Sequence, residues 1–194
     1  GISEQILKKY KVFSVKTVFL NGNVYAQSTQ HSPIYGYYFG KKENIEQWRI
    51  YIPKRKEFRF IGNVSTKTIQ GYKQLPESGK LLVITKSMKD SMLLSSLGIP
   101  AIAPNSETQF VSDKMLEELR GRFKNIVLLY DSDLTGVRFM NKIRKQHHDL
   151  IICMIPRKYE AKDISDFYQK YGRNKTISII KDYIKYLKHE EKIA

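Results

Sequence analysis

Val127-Leu128-Leu129-Tyr130-Asp131-Ser132-Asp133-Leu134-Thr135-Gly136 joins an apolar, β-prone run to two carboxylates spaced two residues apart and then to a glycine. Such a run, ending abruptly in acids and followed by a helical pattern, predicts a buried parallel strand that delivers polar residues at its carboxyl end. Ligands of open α/β sheets bind at that end. Side chains at i and i+2 of a strand leave on the same side, so Asp131 and Asp133 can converge on one hard cation, while Gly136 lets the chain turn tightly into the next helix. The alternative is a plain strand-to-helix turn in which Asp133 caps the helix.

The surrounding pattern fits the strand reading. From Lys80 onward the periodicity predicts a strand over 81–85, a helix over 87–97 closed by Gly98, a short strand over 100–103, a helix over 112–121, the central strand over 126–130, a helix over 135–148 and a strand over 150–155. Alternating strands and helices imply a parallel sheet with crossover connections. Two further helical stretches, 164–171 and 176–188, follow, the second with Ile177, Ile180, Ile184 and Leu187 at helical spacing as a packing stripe. The region before Lys80 reads differently: a short capped helix over 3–11, a hairpin over 12–27 around Asn21-Gly22-Asn23, and β-prone runs over 35–39, 48–52 and 57–61 broken by Gly40, Pro53 and Gly62. The expected organisation is therefore a small, mostly β subdomain over 1–79 and an α/β domain over 80–194, a division that suits a chain of 194 residues.

A net charge of +15 points to an acidic partner, nucleic acid before anionic membrane, although lysine-rich composition can also be a bias of the source. Residues 1–79 hold 13 Lys and Arg against 5 acids and residues 80–194 hold 21 against 14, so the smaller region is the more basic for its size. Within it Arg49, Lys54, Arg55, Lys56 and Arg59 interleave with Trp48, Tyr51, Phe58 and Phe60, which suits phosphates met by cations and bases stacked on rings. Alternate aromatics of a strand pair can equally form a core. The single Cys153 excludes disulfides within the chain and cysteine-ligated zinc, and it lies in an apolar run as a buried strand residue would. No stretch approaches the roughly 20 apolar residues of a membrane span and the first residues lack a signal-peptide pattern, so a soluble, cytoplasmic protein is expected.

Polar clusters follow each strand of the second region: Thr85-Lys86-Ser87-Met88-Lys89-Asp90, Asn105-Ser106-Glu107, Asp131-Ser132-Asp133, and Lys162-Asp163-Ile164-Ser165-Asp166. In a parallel sheet all four reach one edge. Glu107, Asp131, Asp133, Asp163 and Asp166 gathered there would repel one another unless a cation sat among them, and magnesium is the natural candidate.

The order of these elements resembles the TOPRIM domain shared by primases, type IA and II topoisomerases and some nucleases, and the whole chain is most similar to the RNA-polymerase core of phage primases and primase-helicases. That family places a small basic β-rich subdomain ahead of its TOPRIM half, as residues 1–79 are expected to be here. The resemblance implies magnesium (or manganese) on Asp131 and Asp133, with Lys162 and Asp163 beside it. It also implies a DNA primase that joins ribonucleoside triphosphates into short RNA primers on single-stranded DNA. The template and nucleotide would be held by Arg49, Lys54, Arg55, Arg59, Lys86, Lys89 and Lys162. A phage-encoded protein of this kind works in the cytoplasm of a bacterial host.

One position departs from the family. The glutamate-glycine pair that usually stands four residues before the aspartate of its first motif is Lys86-Ser87 here, ahead of Asp90. Either catalysis is lost, or another acid serves, and Glu107 in the loop after the next strand is placed to do so, which leaves Lys86 to hold phosphate. The expected site is thus Lys86, Asp90, Glu107, Asp131 and Asp133, with metal on Glu107, Asp131, Asp133 and Asp163. The sequence contains no cysteine-rich zinc module and no Gly-Lys-Ser/Thr phosphate loop, so a replicative helicase or a zinc-binding module is expected in cis or in trans. The competing readings are a TOPRIM nuclease and a non-catalytic module that binds single-stranded nucleic acid.

Overall fold

The computed structural model describes residues 2–105 and 109–190. The chain divides into two compact units, Ser3–Ser65 and the residues from Thr66 onward. The expected division after residue 79 is therefore moved to 65/66. The cause is a two-residue strand, β7 (Ile69–Gln70), which pairs with the sheet of the second unit and is too short to show a periodicity.

In the first unit, helix α1 (Glu4–Lys9) is capped by the Ser3 hydroxyl. The stretch 12–20 is not one strand. It splits into β1 (Val12–Ser14), which pairs with β4 (Tyr35–Lys42), and β2 (Thr17–Leu20), which forms the expected hairpin with β3 (Asn23–Gln27). Asn21 and Gly22 both take positive φ, as a two-residue hairpin turn requires. Gly40 does not end its strand: β4 runs on to Lys42 across a bulge at Phe39 and pairs with β5 (Ile45–Tyr51), which pairs in turn with β6 (Phe60–Gly62).

The two-residue alternation of a strand separates the aromatics that the sequence interleaves. Tyr35, Tyr37, Tyr51 and Phe60 stack on one face, with the Arg49 guanidinium 4.1 Å over the Phe60 ring. Trp48 lies on the other face against Phe13 and Tyr38. Arg55 is held over the Tyr25 ring and donates to the Tyr25 carbonyl, whereas Lys54, Lys56 and Arg59 are exposed.

The second unit is built on a five-stranded sheet in the order β11 (Ile151–Ile152), β10 (Ile126–Leu129), β8 (Leu82–Thr85), β9 (Ala101–Pro104) and β7. Its first four strands are parallel and β7 is antiparallel. The near-continuous apolar runs of β8, β9 and β10 are what burial on both faces requires, and every residue of all three strands is buried. Alternate side chains serve two cores. Val83, Val127 and Leu129 pack with α2 (Met88–Ser96) and α5 (Ile164–Glu190), through residues such as Leu94, Ile164 and Phe167. Leu82, Ile84 and Leu128 pack with α3 (Asp113–Arg122) and α4 (Leu134–Gln146), through Leu116, Leu119 and Met140. Each such fully buried side chain contributes on the order of 2 kcal/mol. The two helical stretches expected at the carboxyl side are the two arms of α5, which meet at Gly172, whose φ of 74° and ψ of −177° are not helical.

The chain goes from β8 to β9 on one side and then crosses to β10 on the other. The switch between β8 and β10 is where the first and third polar clusters leave the sheet.

Tyr130, which ends the central run, is buried against Phe139, and its hydroxyl is the one buried side-chain polar atom without a partner among the described residues. Burial also pushes its ionisation well up from the ordinary phenol value. Tyr130→Phe should therefore leave stability unchanged or raise it by about 1–3 kcal/mol, since it removes an unpaired buried hydroxyl and no bond. Denaturant unfolding of the two proteins checks this, and a clear loss of stability in the variant would refute it.

Candidate active site

The loops that follow β8, β10 and β11 come together as expected, but their carboxylates are not gathered around one shared position. Each has its own partner. Asp131 leaves β10 two residues after Leu129, which is in register with Thr85 of β8, and its Oδ2 meets the Lys86 ammonium at 2.7 Å and that of Lys162 at 3.9 Å. The Asp131 side chain is 5% exposed and that of Lys86 24%. Asp133 caps α4 as the alternative reading had it, its Oδ1 accepting from the Gly136 N–H at 2.8 Å.

Asp163 and Asp166 form a reciprocal cap at the start of α5. Asp163 Oδ1 accepts from the Asp166 N–H at 2.7 Å, and Asp166 Oδ2 accepts from the Lys162 N–H at 3.0 Å. The other Asp163 oxygen faces Lys89 at 3.4 Å, and Asp166 also pairs with Lys170 at 3.4 Å. The backbone N–H of Lys162 and the Lys170 ammonium hold the Asp166 carboxyl below its ordinary range. Lysines interleaved among the described acids, together with cap hydrogen bonds, offset much of their mutual repulsion.

Asp90 is placed differently from the other acids. It lies in the first turn of α2, 3% exposed, accepting from the Ser87 hydroxyl at 2.7 Å and from the hydroxyl of Ser165 on α5. Desolvation raises its pKa, opposed by those two hydrogen bonds. It joins the amino ends of two helices and does not line the open edge. Ser165 and Lys170 carry no signal in the sequence that marks them for the site, whereas the Ser-x-x-Asp spacing of Ser87 and Asp90 is a helix-start signal. Ser132 also fixes the site. Its N–H donates to the Lys162 carbonyl at 3.1 Å and its hydroxyl to the Ile155 carbonyl at 3.1 Å, which binds the β10 loop to the segment before α5.

Among the described residues no group of three or more acidic, histidine or cysteine side chains is arranged to hold a metal, and the expected ligand Glu107 lies outside them. Asp163 has both oxygens engaged. Asp131 Oδ1 and Asp133 Oδ2, by contrast, take no hydrogen bond among the described residues. Two carboxylate oxygens from neighbouring residues fit magnesium, which commonly takes only one or two carboxylates and completes its shell with water and substrate phosphate.

No protein-family model and no curated protein matches the chain. Solved structures do. The primase fragment of the bacteriophage T7 primase-helicase matches with a TM-score of 0.65 at 18% identity, over 92% of this chain and 70% of that one. The E. coli primase catalytic core matches with a TM-score of 0.67 at 12% identity, over 94% and 70%. The DnaG primase catalytic domain bound to single-stranded DNA matches with a TM-score of 0.67 at 11% identity, over 93% and 70%. The chain has the fold of the primase catalytic core.

Two outcomes follow from the geometry. A Cβ on Gly136 would lie 2.2 Å from the Asp131 carbonyl oxygen, a backbone atom that cannot swing away. Gly136→Ala should displace the Asp131 turn and lower stability by about 2 kcal/mol or more, and unchanged thermal unfolding would contradict the packing. Asp90→Asn should change how stability depends on pH. Because folding raises the Asp90 pKa, the folded state binds the extra proton, and wild-type stability falls as pH rises from about 4 through the folded pKa. The asparagine variant lacks that fall, so the stability difference should grow in its favour between about pH 4 and the folded pKa and then stay constant; parallel curves would show that Asp90 ionises without penalty.

Proposed function

We propose that the chain is the catalytic core of a DNA primase, which synthesises short RNA primers from ribonucleoside triphosphates on a single-stranded DNA template. The observation that carries this reading is the match to primase cores over more than nine-tenths of the chain, across both units, including a core bound to single-stranded DNA. The edge at the β8–β10 switch, with two carboxylate oxygens that take no hydrogen bond among the described residues and with lysines beside them, supports nucleotidyl transfer there.

In this reading the second unit is a TOPRIM-type domain, and Asp131 and Asp133 hold magnesium or manganese, with Glu107 as the third ligand. A bound divalent ion would supply positive charge to the triphosphate and to the attacking 3′ hydroxyl. The chain's own residues do the rest. Lys86, Lys89 and Lys162 offer ammonium groups to phosphate oxygens at the same edge. Asp90 acts by position, keeping α2 and α5 in register through Ser165, and touches no substrate. In the first unit the exposed Lys54 and Arg59 contact template phosphates, and the Arg49–Phe60–Tyr51 stack offers a face for bases; Arg55 contributes by holding the β3 region through Tyr25.

The partners proposed are those of its structural neighbours. One of these is a fragment of a primase-helicase, another comprises zinc-binding and RNA-polymerase domains, and a third contains primase domains bound to an RNA/DNA hybrid. A helicase or zinc-binding partner, and work in the cytoplasm of a bacterial host on behalf of a phage, complete the proposal. No helix among the described residues is long and apolar enough to cross a membrane.

The test is incubation with single-stranded DNA, labelled ribonucleotides and magnesium or manganese, scoring extension and cleavage in the same lanes. Template-dependent extension is expected. Asp131→Ala and Asp133→Ala should each abolish it, a loss of roughly a hundredfold or more, with the fold retained by circular dichroism. Cleavage without extension would replace this reading with a nuclease, and binding with neither would leave a nucleic-acid-binding module.

A further inference from the structure

The most deeply placed carboxylate of the open edge is already neutralised. Asp131 Oδ2 takes the Lys86 ammonium at 2.7 Å, with Lys162 at 3.9 Å, and both members of the closer pair are largely withdrawn from water. Lys86 leaves β8 directly after Thr85, the register partner of Leu129, so it faces Asp131 from the adjacent strand and not from a wandering loop. In such a pair each partner compensates the other's desolvation, and removing one strands a buried charge. A divalent cation on Asp131 would sit within a few ångströms of the ammonium, where like charges repel strongly because little water lies between them. Ammonium and metal therefore compete for one carboxylate. A triphosphate changes the balance: its oxygens accept the displaced ammonium and bring countercharge for the divalent ion.

We infer that Lys86 is a built-in counter-ion that keeps Asp131 free of metal until a nucleoside triphosphate arrives, so that metal and nucleotide are taken up together. The inference rests on the primase reading only for the identity of the nucleotide; the competition rests on the ion pair itself. Lys86 thus acts on the order of binding as well as on phosphate, and its neighbour Lys162 acts in the same sense from a greater distance.

Manganese is the probe. It is titrated into the full chain with and without a non-hydrolysable ribonucleoside triphosphate, following free Mn2+ by paramagnetic resonance and the thermal midpoint in parallel. In the wild type, manganese alone leaves Tm unchanged and binds at least about tenfold more weakly than with the triphosphate present, after allowance for metal held by free nucleotide. Lys86→Gln binds manganese alone at least about tenfold more tightly than the wild type, and its Tm then rises with the metal. Lys86→Arg keeps the charge and behaves as the wild type does. Wild-type binding of manganese that is equally tight without nucleotide overturns the inference, and so does a glutamine variant that binds no better than wild type. Should the glutamine variant not fold, the wild-type comparison and the arginine variant decide. Nucleotide-linked metal uptake in a chain that makes no primer refutes the primase reading alone, and primer synthesis with nucleotide-independent metal binding refutes the counter-ion alone.

Discussion

A parallel sheet covered on both faces can show polar groups only where its strands end, and the second unit is arranged by that constraint. β8, β9 and β10 are buried along their full length and apolar except for Thr85 at the end of β8, and their alternate side chains are shared between the α2–α5 core and the α3–α4 core. Neither face has room for a charge. The crossing from β9 to β10 past β8 then fixes which two strand ends are adjacent, and the pairing of Thr85 with Leu129 puts Lys86 beside Asp131.

The edge so formed resolves its electrostatics locally. Three of its acids are drawn into caps, Asp133 at α4 and Asp163 with Asp166 at α5, while behind the edge Asp90 is tied down by two serine hydroxyls. Asp131 is met by lysine instead. The result is an acidic edge that is tolerable without metal, yet it retains two carboxylate oxygens facing away from these bonds. Gly136 is part of the same device, since only a residue without Cβ lets the first turn of α4 lie against the Asp131 carbonyl.

Much of this was legible in the sequence because it depends on short-range pattern. The apolar runs of β8 and β10, the caps at Ser3, Ser87 and Ser112, the hairpin at Asn21-Gly22 and the two arms of α5 are all written within a few residues of themselves. What escaped is long-range or too brief. β7 carries two residues and no period, so the division between units was placed too late. The break within 12–20 is decided by pairing with β4, which starts some twenty residues further on. The sequence shows Trp48, Tyr51 and Phe60 as one aromatic run, and only the register reveals that the tryptophan faces away from the other two. Most of all, the pairing of Lys86 with Asp131 spans 45 residues, so nothing in either neighbourhood announces it.

The lysine-laced edge also divides the labour of encounter. Lys86, Lys89, Lys162 and Lys170 stand against Asp131, Asp133, Asp163 and Asp166, so these described charges of the edge balance while the chain as a whole carries +15. The far field that draws a polyanion out of solution is generated by the rest of the molecule, and it weakens within about a Debye length, roughly 8 Å at physiological salt. Capture speed therefore belongs to the periphery and responds to ionic strength. What happens once a ligand is seated is governed by pairs only a few ångströms long and partly withdrawn from water, which dissolved salt screens far less.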